Sequence, residues 1–149
     1  MERKLIIRNF GAIASADIAL KDFNIFIGEQ GAGKSTVAKL ITIFENSRDK
    51  VLKVDSDYLM TKFSEYNIIS YFNPDSYISY SSEQGDITYE DGSFNFTFSY
   101  HSTSHNLYIP AERFFISTFS RSIATLVLSK APIPVTLLEF ASFYEKAKN

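Results

Sequence analysis

Apolar positions along the chain change their period several times, and each change marks an element. Lys4 to Phe10 gathers Leu5, Ile6, Ile7 and Phe10 into a β-favouring run that Gly11 ends. Ser15 to Leu20 alternates, with Ala16, Ile18 and Leu20 on one side, which predicts a half-buried second strand. After the Lys21-Asp22 turn, Phe23-Asn24-Ile25-Phe26-Ile27 is nearly all apolar and predicts a third strand, buried at the centre of a sheet. From Ser35 the spacing switches to helical, with Val37, Ala38, Leu40, Ile41 and Phe44 on one broad face. A second helical stretch is expected from Ser56 to Ser70, stopped by Asn73-Pro74.

Residues 76–109 return to a period of two. Tyr77–Tyr80, Asp86–Tyr89 and Phe94–Phe98 predict short antiparallel strands, with a hairpin turn at Glu90-Asp91-Gly92. Leu107-Tyr108-Ile109 predicts one more strand before Pro110. Ala111 to Leu128 reads as helical, Ala131-Pro132-Ile133-Pro134 as a break, and Val135 to Lys148 as a last amphipathic helix. The expected organisation is a single domain over 1–149, with an antiparallel β-rich subregion at 75–109 and a helical one at 111–149.

Composition narrows the class. The chain has 149 residues, 45% hydrophobic and 21% charged, as a globular domain does. A formal charge of −2 excludes a strongly basic domain that coats nucleic acid. The lack of cysteine excludes disulfides, thiolate metal sites and cysteine nucleophiles. Leu5-Ile6-Ile7 is cut by Arg8, too short for a signal-peptide core, and no apolar run approaches the roughly 18 residues of a membrane span. The expected location is the cytoplasm, away from the membrane.

One segment carries chemistry. Gly28-Glu29-Gln30-Gly31-Ala32-Gly33-Lys34-Ser35 fits G-x-x-x-x-G-K-[ST], between an apolar run and an amphipathic helix. Gly31 and Gly33 allow close backbone approach and let successive N–H groups point at one anion. The helix adds the positive end of its dipole. Lys34 is the expected cation for β- and γ-phosphates, and Ser35 the expected hydroxyl for Mg²⁺. Thr36 is expected as a second, backbone-level contact near the α-phosphate rather than a metal ligand, and Gln30 to point outward. Gly28 and Ala32 complete the expected cofactor-binding set for ATP and Mg²⁺.

Hydrolysis needs a second metal carboxylate, usually at the end of an apolar strand. Leu107 to Glu112 is broken by Pro110, and Val51 to Asp55 is interrupted by Lys53, so neither run is convincing and the catalytic residues stay unassigned. His101 and His105 are spaced like helical metal ligands, but Ser102-Thr103-Ser104 between them indicates a loop. Glu112 and Arg113 either face nucleotide or a partner head, or open a helix. The aromatics from Phe94 to Tyr100 lack interleaved basic residues and read as sheet packing.

Asn9-Phe10-Gly11-Ala12-Ile13 and Tyr108-Ile109-Pro110-Ala111-Glu112-Arg113, together with the phosphate-loop motif, resemble the N-terminal part of the ABC-type ATPases of the SMC/RecF/OLD group. The nearest likeness is to the bacterial "AAA family ATPase" branch of anti-phage and toxin–antitoxin systems. The resemblance implies an α/β P-loop NTPase head with a mixed sheet, an antiparallel β-rich insertion and flanking helices. It implies two heads that dimerise around ATP and control an effector protein or DNA. The family's signature motif, Walker B strand and switch histidine come later in its chains, and none is recognisable here. The expectation is therefore the first part of a longer head, whose hydrolysis requires later motifs or a partner protomer.

Two alternatives remain open. A small P-loop kinase would use Val54-Asp55-Ser56-Asp57 to handle substrate and metal. A non-hydrolysing module would use nucleotide as a structural switch.

Overall fold

The computed structural model describes residues 3–47, 55–98, 106–110 and 133–147. These fall into two compact units, 1–106 and 107–149. In the first, the elements are β1 (Arg3–Phe10), β2 (Ile13–Leu20), α1 (Lys34–Asn46), α2 (Ser56–Glu65), a 3-10 turn (Ile69–Tyr71), β3 (Tyr77–Ser82), β4 (Gly85–Glu90) and β5 (Ser93–Phe98). The second contains α3 (Val135–Ala147).

The five strands form one sheet in the order β2-β1-β3-β4-β5, antiparallel throughout. Opposed residues share a face, so register decides what is buried. Leu5 pairs with Tyr80, Ile7 with Ile78, Tyr80 with Ile87, and Tyr89 with Phe94, and all of these are buried. The opposite face is mostly polar; Ser79 there lies across from Thr88.

Asn9 breaks the alternation. It lies in the left-handed region at φ 49° and drops out of the ladder between Arg8↔Ser15 and Phe10↔Ile13. The twist turns Phe10 into the core although Arg8, two residues earlier, is on the other face. Asparagine tolerates this conformation better than most residues.

A cluster of aromatic rings runs through the buried core of the first unit. Phe63 of α2 has ring centroids 5.9 Å from Phe10, 4.9 Å from Phe72 and 5.7 Å from Phe94. Phe44 of α1 stacks at 5.7 Å on Tyr80 of β3. Such pairs add roughly 0.5–1.5 kcal/mol each beyond their burial. Leu40, Ile43 and Leu59 fill the remaining space between helices and sheet.

The β4–β5 turn is as expected: Asp91 (φ 50°) and Gly92 (φ 78°) both take the positive φ of a type I′ turn. Helix α2 ends earlier than Ser70. Asn67 turns left-handed at φ 54°, and the amides of Asn67 and Ile68 return to the carbonyls of Ser64 and Phe63. This Schellman closure seals the last turn before Asn73-Pro74 is reached.

Two expected strands are corrected. Phe23 to Ile27 is not a strand, and the sheet of the described residues is antiparallel rather than mixed. The sheet runs β2-β1-β3-β4-β5 without this segment, which has no ladder partner among the described strands. Phe23, Ile25 and Ile27 instead stand 80%, 70% and 91% exposed. Leu107 to Ile109 also pairs with no described strand. The expected helix over 111–128, His101, His105, Glu112, Arg113 and Val51 to Val54 lie outside the described residues.

In the second unit, α3 runs almost as expected, with Pro134 accepting from the amides of Leu137 and Leu138 at its start. Its Ala141 is buried, while Phe143 is 46% exposed under the Lys146 ammonium. No helix among the described residues is long and apolar enough to cross a membrane.

Candidate phosphate-binding loop

The segment from Gly28 to Thr36 connects the exposed Phe23–Ile27 run to α1. Gly31 (φ 83°) and Gly33 (φ 86°) both lie in the left-handed region. A non-glycine residue would be strained at either point. Between them, the Ala32 amide donates to the Glu29 carbonyl at 3.3 Å and tightens the turn.

Lys34 is the first residue of α1. Its ammonium folds back over the loop and donates to the carbonyls of Gly28 at 2.7 Å and Glu29 at 2.5 Å. The cation is thus tied to the loop's own carbonyls. Gly28, Gln30, Gly31 and Ala32 are exposed, Ser35 is exposed at the start of α1, and Gly33 is buried beneath them.

Helix α1 starts without the usual protection. Gly33 is its N-cap and offers no side-chain acceptor, and the first turn holds no acidic residue. The first intrahelical bond runs from the Val37 amide to the Gly33 carbonyl. The earlier amides of the turn, at Lys34, Ser35 and Thr36, meet no acceptor among the described residues. A helix end with open amides and a dipole behind it is suited to an anion.

Thr36 adds a second sign. It is 5% exposed, and its hydroxyl has no hydrogen-bond partner among the described residues. Buried hydroxyls normally have one. Positive-φ glycines, open amides, a lysine over the loop and an orphaned buried hydroxyl together make a set of donors suited to an anion.

The sequence motif thus places Gly28 to Thr36 in one loop and one helix start. Sequence reasoning missed the residue that packs beneath the loop. A β-carbon at Gly33 would lie 2.5 Å from Cγ1 and 3.0 Å from Cδ1 of Ile13, the first residue of β2. Ile13 is far away in sequence, and its apolar character alone does not distinguish it from the other strand residues.

Asp55 lies apart from this loop chemistry in its bonding. Its carboxylate accepts from the Tyr58 amide at 2.9 Å and caps α2. That is the ordinary use of an aspartate at a helix start. No group of three or more His, Asp or Glu able to hold a metal occurs among the described residues.

A family model described as an AAA ATPase domain matches residues 1–131. Neither a curated protein nor a solved structure matches the chain.

Proposed function

The chain belongs to the AAA ATPase domain family, and from that premise we propose that residues Gly28 to Thr36 bind Mg-ATP. The observation that carries this reading is the loop itself: the Lys34 ammonium lies over the Gly28 and Glu29 carbonyls, beside a helix start whose amides meet no acceptor among the described residues. Polyphosphate is dense negative charge, and this concave set of donors is complementary to it. Gly31 and Gly33 keep the backbone close to the anion. Lys34 neutralises the terminal phosphates, Ser35 offers its hydroxyl to Mg²⁺, and the buried Thr36 hydroxyl gains the partner it lacks. The metal would supply charge neutralisation at the β- and γ-oxygens.

The likeness of Asn9–Ile13 and Tyr108–Arg113 to the SMC/RecF/OLD group extends the proposal. In that reading the protein is a cytoplasmic ATPase head that pairs with a second head around nucleotide. Hydrolysis then depends on groups supplied by later motifs or by the partner protomer, and the output is control of an effector protein or DNA in anti-phage defence. For the kinase alternative, the Asp55 carboxylate already has a structural use as the cap of α2, which leaves Asp57 as the other carboxylate of Val54-Asp55-Ser56-Asp57.

The test is equilibrium binding of a fluorescent ATP analogue with Mg²⁺ to the chain and to Lys34→Ala. The variant is expected to bind at least about tenfold more weakly, since a charge-assisted contact contributes roughly 1.5–3 kcal/mol. Equal affinity in the two proteins would overturn the reading.

A further inference from the structure

We infer that Ile13 is a positioning residue for the phosphate loop, acting through Gly33 from outside the motif. The inference rests on the nucleotide reading above and adds a residue that the motif does not contain.

The loop has few restraints of its own. They are the Ala32–Glu29 bond, the bond from the Val37 amide to the Gly33 carbonyl, and the two bonds of the Lys34 ammonium, which is also the group that phosphate would engage. Gly33 nevertheless has to hold φ 86° and ψ 7° for the next amides to converge at the start of α1. Ile13 supplies a stop on that side. Its side chain is 7% exposed and lies where a β-carbon of Gly33 would go, with Cγ1 at 2.5 Å from that position. The backbone at Gly33 cannot move toward β2 without running into it.

Ile13 is itself held in place. It pairs with Phe10 at the closed end of the β1–β2 hairpin. The turn between them is braced from the other side by the segment after α2. The Gly11 amide donates to the Tyr71 carbonyl at 3.1 Å, and the Asn9 carbonyl accepts from Asn73 Nδ2 at 2.5 Å and Ser76 Oγ at 2.6 Å. The chain of contact therefore runs from residues 71–76, through the hairpin turn, to the backbone that faces the phosphates. Misplacing such a backbone by a fraction of an ångström weakens every contact it makes with the ligand.

The experiment is a double-mutant cycle on Ile13→Ala and Gly33→Ala, read as Mg-dependent affinity for a fluorescent ATP analogue, with thermal midpoints measured on the same samples. Gly33→Ala alone is expected to lose most binding. In the Ile13→Ala background the loss is expected to be smaller by at least about fivefold, because the overlap with Cγ1 is gone and neighbouring residues couple in this range. Ile13→Ala alone is expected to weaken affinity several-fold, and Ile13→Val, which keeps Cγ1, to restore it. A residue that only fills space would lower the midpoint and leave the affinity of the folded Ile13→Ala protein alone, and that result would overturn the inference, as would an additive cycle. Should Ile13→Ala fail to fold, the cycle is run with Ile13→Val, where a relief of about twofold is expected and additivity again counts against it. Lys34→Ala separates the two levels. If it leaves affinity unchanged, the nucleotide reading falls and the inference with it. If it abolishes binding while the cycle is additive, the inference alone falls.

Discussion

The Tyr80 hydroxyl donates a hydrogen bond to the Glu45 carboxylate inside the first unit, where Tyr80 is fully buried and Glu45 is 6% exposed. Arg3 stands 3.6 Å from the same carboxylate. The pair ties the end of α1 to β3, as the stacked Phe44 and Tyr80 rings do one residue earlier. A carboxylate this buried depends on its donors. Tyr80→Phe keeps the ring stack and removes only the hydroxyl, so it isolates the polar term. The expected cost is about 1–3 kcal/mol in urea-denaturation stability. Glu45→Gln should cost less in the Tyr80→Phe background than alone, because both changes act on one contact. Strict additivity would mean that the two residues are not energetically coupled.

Gly31 and Gly33 allow a cleaner comparison. Their φ angles are nearly the same, at 83° and 86°. A β-carbon at Gly31 meets nothing within 4 Å, whereas one at Gly33 meets Ile13. Without nucleotide, Gly31→Ala should cost only the backbone term of about 1 kcal/mol. Gly33→Ala pays the same term and must also displace Ile13, which brings the expected loss to about 2–4 kcal/mol. Thermal unfolding of the two variants checks the order, and equal losses would refute it.

Asp55 tests the competing use of its carboxylate. Asp55→Ala removes the cap of α2 and should lower stability by about 0.5–2 kcal/mol. Asp55→Ser retains a capping oxygen and should recover most of that loss. Neither change is expected to alter affinity for Mg-ATP. A selective loss of nucleotide affinity or turnover with unchanged stability would return Asp55 to the kinase role.

Much of this architecture was legible in the residue pattern because its signals are local. The Asp91-Gly92 turn, the alternation at Tyr77–Tyr80 and Asp86–Tyr89, and the helical face of Val37, Leu40 and Phe44 each depend on neighbours in sequence. So does the glycine spacing of the loop. What could not be read depends on distant partners. Phe10 is buried through the left-handed Asn9, α2 stops at Asn67 and not at the stronger-looking Asn73-Pro74, and Ile13 lies under Gly33. The apolar run Phe23 to Ile27 misled for the same reason. Hydrophobicity predicts a buried strand only where a sheet takes the segment into its ladder, and the five described strands pair without it.

That run yields the last prediction. Leu5, Ile7 and Ile78 are fully buried in the sheet, whereas Ile27 is 91% exposed immediately before the phosphate loop. Their side chains have similar apolar character, so burial alone should separate the effects of shortening them. Ile7→Ala or Ile78→Ala is expected to cost about 2–5 kcal/mol, from lost transfer energy and the cavity left behind. Ile27→Ala removes no packing and should stay within about 0.5 kcal/mol of the parent. Ile25→Ala, in a side chain 70% exposed, should behave likewise. Urea midpoints of the four variants decide the matter. If Ile27→Ala were as costly as Ile78→Ala, the Phe23–Ile27 segment would be packed in solution, and the expectation of a buried strand there would be restored. If the two differ as expected, the approach to the phosphate loop is an apolar segment that contributes nothing to the stability of this chain.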